Sequence, residues 1–99
     1  MSDQPQHLDN LGQLCADGLD IARYLFQVPD DEGERDRVRA ILKAILATPG
    51  VKSRRELPKV VKDMQQALDG EASAMAAERL QEGFERMMRL SQSAKSGLF

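Results

Sequence analysis

The sequence predicts an all-α protein, a small antiparallel bundle of four main helices with a short capped turn before the third. Three observations predict it. Apolar residues recur at three- and four-residue intervals in four separate stretches, the period of one helix face. Those stretches are separated by short stops at Pro29, Pro49-Gly50 and Gly70, as a bundle with short connections needs. Finally, 23 of the 99 residues are Leu, Ile, Val or Phe, enough for one core and one domain.

Residues 1–7 are polar and contain Pro5, and 1–9 are expected to form a disordered tail. The first helix is expected over 10–26, capped by Asp9 or Asn10. Its stripe is wide: Leu11, Leu14, Cys15, Gly18, Ile21, Ala22 and Leu25, flanked by Leu19 and Phe26. That width implies a central place in the bundle or a seam with a second copy, so a homodimer is one expectation. Gly18 on the stripe implies close approach of another helix. The second helix, 31–47, is capped by Asp30 or Asp31. Val38, Ile41, Leu42 and Ile45 face inward, and Arg35, Arg37, Arg39 and Lys43 lie mostly outside that face.

The stretch 51–70 organises the rest. Leu57, Val60, Val61, Met64 and Leu68 form one face, and the adjacent pair Val60-Val61 rules out strand alternation. Ser53 and Glu56 have capping-box spacing, yet Pro58 lies inside the helix such a box would open. The expectation is therefore a capped turn over 53–57, then a helix over 58–68 beginning at Pro58. Gly70 is expected to close that helix in a left-handed conformation. The last helix, 71–91, is the strongest helix former, with its stripe at Ala76, Ala77, Leu80, Phe84, Met87 and Met88. Residues 92–99 are expected to fray.

Charge is unevenly distributed. Residues 1–34 carry a net −7, residues 35–62 a net +7 and residues 63–99 a net −2. Either the acidic opening third neutralises the basic segment internally, or the basic segment faces outward toward a partner. The candidate partner-binding residues are Lys52, Arg54, Arg55, Lys59 and Lys62. Cys15 is the only cysteine, which excludes an intrachain disulfide and fits a reducing, cytoplasmic setting. No apolar run approaches a membrane span, and residues 1–10 lack a signal-peptide pattern.

Catalytic and metal chemistry find no footing. His7, the only histidine, sits in the polar start rather than mid-helix, and lone Cys15 with lone His7 matches no zinc spacing. The acids Asp30, Asp31, Glu32 and Glu34 lack the twelfth-position Glu of a calcium loop. There is no Gly-rich phosphate loop and no paired base for a nucleophile, so no enzyme activity, metal or cofactor is expected. Residues 41–61, ILKAILATPGVKSRRELPKVV, resemble a degenerate helix-turn-helix, with Gly50 and Val51 at the turn and Ser53 opening the next helix. That resemblance implies nucleic-acid binding, with Arg54, Arg55 and Lys59 approaching DNA. The leading expectation is a non-enzymatic protein-interaction or regulatory module, an adaptor that meets a partner protein through helical faces and the basic patch.

Overall fold

Residues 6–51 and 53–95 are described by a computed structural model in which four helices follow one another: α1 Gln6–Gln27, α2 Glu32–Ala47, α3 Glu56–Asp69 and α4 Ala74–Lys95. No strand occurs among the described residues. Helix α1 packs on α2 and α4, and α3 packs on the same two helices. No Cα of α1 lies within 8 Å of one in α3, nor one of α2 within 8 Å of α4, so the helices neighbour one another in chain order around a ring. Two tertiary neighbours fix the direction of α4 against α1. Gly18 lies against Phe84, and Leu25, seven residues further along α1, shares a small void with Ala77. Rising numbers on one helix meet falling numbers on the other, so the two run antiparallel.

The element borders show which local signals acted. Helix α1 starts at Gln6 rather than at residue 10, so 6–9 are helical and only 1–5 of the expected tail lie outside the described residues. Asp31 caps α2, its carboxylate accepting the Glu34 N–H at 3.1 Å. The same carboxylate accepts the Tyr24 hydroxyl at 2.8 Å, which ties the end of α1 to the start of α2. These bonds, Tyr24 first, hold Asp31 below the usual carboxylate range. The stability they lend is therefore present above the unfolded-state pKa and is lost as pH falls through the folded one.

Pro49 and Gly50 occupy the two central positions of a turn closed by the Val51 N–H to the Thr48 carbonyl at 3.2 Å. Gly50 has φ +90°, a value that L side chains rarely adopt, which explains glycine there. The expected capping box does not form. Ser53 instead donates its hydroxyl to the Gly50 carbonyl at 2.8 Å, and α3 starts at Glu56 with no side-chain cap. Helix α3 thus starts two residues before Pro58, its expected first residue, and Pro58 sits within the first turn. Its missing N–H is one that a first turn leaves without an intrahelical partner anyway, so the helix loses nothing by running through it. Gly70 likewise departs from expectation: its φ of −85° is extended, not left-handed. Helix α4 begins at Ala74 rather than 71 because the Ser73 hydroxyl accepts the Ala76 N–H at 3.1 Å. It continues through residue 95, and residues 96–99 lie outside the described residues.

The core is aliphatic with one ring at its centre. Leu25, Val38, Leu42, Ile45, Leu57, Val61, Met64, Leu68, Leu80, Phe84 and Met87 are buried. Leu19 is also buried within the chain, so the wide α1 stripe is covered by α1's own neighbours except at Phe26, which is half exposed. Cys15 is fully buried, and burial pushes its thiol up to about 12. Only the thiolate reacts, so a thiol-specific reagent at neutral pH should leave the native protein unmodified and label one thiol once denaturant is added. Fast labelling of the native state would show that the core is open. Gly12 has nothing within 4 Å of where a Cβ would stand. Gly12→Ala should therefore raise stability by up to ~1 kcal/mol through helix propensity, read as a higher thermal midpoint.

One expectation about α2 is overturned. Arg35 is not on the outer face: it is buried, continuing the row Val38, Leu42, Ile45 backwards by one turn. Its guanidinium donates to the Leu68 carbonyl, to the Gly70 carbonyl at 3.4 Å and to Glu32 at 3.1 Å. Arg39 donates to the same Leu68 carbonyl at 3.1 Å. The last turn of a helix leaves carbonyls without partners and carries partial negative charge. Two arginines of α2 thus cap the end of α3 alongside the Gly70 N–H, which bonds the Gln66 carbonyl at 3.1 Å.

Candidate functional site

Nothing in the interior converges as a reaction would need. Among the described residues every buried side-chain nitrogen or oxygen has a hydrogen-bond partner, and no three His, Cys, Asp or Glu side chains come together. The charged surface is more informative. The arginines of α2 are held by acids three residues earlier on the same helix: Arg35 by Glu32 and Arg37 by Glu34, each at 3.1 Å, and Arg39 by Asp36 at 2.6 Å. Three of the nine bases of residues 35–62 are thereby paired within α2, two of them by the last acids of the opening third, Glu32 and Glu34, and none by an acid of α1 among the described residues.

The bases at the start of α3 behave differently. Arg55, Lys59 and Lys62 are exposed, Arg54 is half-buried, and none of the four has an ion pair among the described residues. Lys52 lies outside the described residues. Helix geometry explains the grouping. At 100° per residue, Arg55, Lys59 and Lys62 fall within one narrow sector, directly opposite the buried row Leu57, Val61, Met64 and Leu68. Arg54 sits in the turn that leads into α3, its N–H bonded to the Val51 carbonyl at 3.0 Å. The row lies opposite the buried face of α3, and among the described residues no acid of α1 pairs with it.

One cation belongs with the row although its place in the sequence does not suggest it. Lys43 of α2 is exposed and has no ion pair among the described residues. Arg39 reaches Leu68, and α2 runs antiparallel to α3, so Lys43 stands one turn further along, level with the Lys62 end of the row. Only the α2/α3 register reveals this.

The α4 side of the row is bordered by acids. Glu56 pairs with Arg86 at 3.6 Å. Asp63 lines an open groove of about 390 Å³ between α3 and α4, together with Val60, Met64, Arg79, Glu82 and Arg86. Charges of both signs share that groove, whereas the outward row of α3 carries cations alone.

No family model matches the sequence, no curated protein is significantly similar to it, and no solved structure matches its fold. Among the described residues no helix is long and apolar enough to cross a membrane.

Proposed function

We propose that this chain is a small non-enzymatic interaction module, an adaptor or regulatory subunit working in the cytoplasm, that holds an acidic segment of a partner protein on the outer face of α3. One observation carries the reading. Among the described residues Arg54, Arg55, Lys59 and Lys62 remain without ion pairs, whereas the arginines of α2 are each paired locally. Charge that a fold leaves unbalanced on one face steers and registers a partner of opposite sign. The bound residues would be Arg54, Arg55, Lys59 and Lys62, with Lys52 adjoining them in sequence.

Nucleic acid is the second reading, favoured by the positive residues at the start of α3. Against it, eight residues, 48–55, separate α2 from α3, where a helix-turn-helix uses a turn of three or four. The two readings separate in one titration at low salt. Fluorescence anisotropy should show labelled poly-glutamate binding the protein and releasing as salt rises. The triple reversal R54E/R55E/K59E should abolish that binding while circular dichroism stays unchanged. Salt-sensitive binding of duplex DNA with none of poly-glutamate would overturn the proposal in favour of the nucleic-acid reading.

A further inference from the structure

We infer that the element recognised by the α3 face is an acidic helix that presents one line of carboxylates at i, i+4 and i+7. The inference rests on the functional reading above and concerns what the site can distinguish. Its basis is the shape of the positive surface. Arg55, Lys59 and Lys62 are four and three residues apart on one exposed sector, so along the axis they are about 6 and 4.5 Å apart at 1.5 Å per residue. Lys43 of α2 stands beside its Lys62 end.

On α3 itself the row is one side chain wide. On its α4 side stand Glu56 and Asp63, and beyond them Glu82. A ligand that spreads negative charge over a broad front would bring phosphates onto those carboxylates. Duplex nucleic acid does this across a groove about 12 Å wide, and a lipid surface does it over a plane. A helix carrying one acidic row does not. Its i, i+4, i+7 positions repeat the spacing of Arg55, Lys59 and Lys62, and its remaining faces stay clear of the acids of α3 and α4. An extended chain places same-side residues about 6.6–6.8 Å apart. It can meet the Arg55–Lys59 interval but falls out of step at Lys62.

The test uses two stapled helical peptides of identical composition. In one, three Glu stand at i, i+4 and i+7; in the other they are spread around the helix. Isothermal titration at low salt should show the aligned peptide binding at least tenfold more tightly. K59E/K62E should weaken it by at least tenfold and K43E by less. A peptide with Lys in place of the three Glu should bind K59E/K62E better than the parent protein. Equal binding of the two acidic peptides would overturn this inference while leaving the functional reading in place, because acidic chains would still bind. If neither they nor poly-glutamate bind, both fall. Tighter binding of duplex DNA or of anionic phospholipid vesicles than of the aligned peptide would also overturn it.

Discussion

Phe84→Ala is expected to lower stability by about 3–5 kcal/mol, the usual cost of removing a fully buried ring. Phe84 is fully buried at the α1/α4 contact. Its ring lies where α1 offers no side chain: a Cβ at Gly18 would stand 2.3 Å from the ring's Cζ. Gly18→Ala should therefore also destabilise, by about 1–3 kcal/mol for overpacking, offset in part by the better helix propensity of Ala. The pair can be separated from a general weakening of the core. In the Phe84→Ala background the ring is gone, so Gly18→Ala should cost little. Denaturant titrations of the four proteins should give a coupling of about 0.5–3 kcal/mol. Strict additivity would mean that Gly18 and Phe84 do not meet. Gly83 supplies a contrast. A Cβ there would stand 2.4 Å from the sulfur of Met64, and a flexible thioether yields where a ring cannot. Gly83→Ala should thus cost less than Gly18→Ala.

Arg35→Met is the second large effect. It keeps most of the buried volume but removes the donors to Leu68, Gly70 and Glu32. Hydrogen bonds to charged groups are worth about 1.5–3 kcal/mol. The loss should fall in the middle of that range, because Arg39 still reaches the Leu68 carbonyl. Adding Arg39→Met should cost more in the Arg35→Met background than in the parent, since the second change removes the last donor. Hydrogen exchange should localise the damage to the last turn of α3 and the 70–73 connection. Protection lost evenly over the whole chain would argue against a local cap.

These two sites differ in how far the sequence foretells them. Gly18 was legible: a glycine on an apolar helical stripe implies close approach, although its partner Phe84 is not readable from periodicity. The four helices were legible for the same reason, since each carries an unbroken three-four pattern. Arg35 was not read, yet a signal was available. It continues the spacing of Val38, Leu42 and Ile45, and only its charge argued against burial. What overrode that argument was the Leu68 carbonyl at a helix end 33 residues away, a tertiary demand that local pattern cannot announce. The border of α3 failed similarly. Pro58 reads as a helix breaker, but a first turn has no hydrogen bond for proline to remove.

The candidate surface was half legible. Arg54, Arg55, Lys59 and Lys62 follow from composition and a helical wheel. Lys43 does not, because its place beside Lys62 depends on the register of α2 against α3. Nor does composition show that the other bases of the segment are balanced by their own helix. That became plain only from the pairs Glu32–Arg35, Glu34–Arg37 and Asp36–Arg39.

The ring order of the helices bears on how the chain is made. The most extensive interface joins α1 to α4, the first helix to the last, with residues 28–73 between them. During synthesis α1 leaves the ribosome long before its main partner exists. Leu11, Cys15, Leu19 and Leu25 then wait uncovered, exposed to chaperones or to other nascent chains. The bundle can close only when α4 emerges, so a ribosome stalled before residue 84 would carry a chain without its central ring.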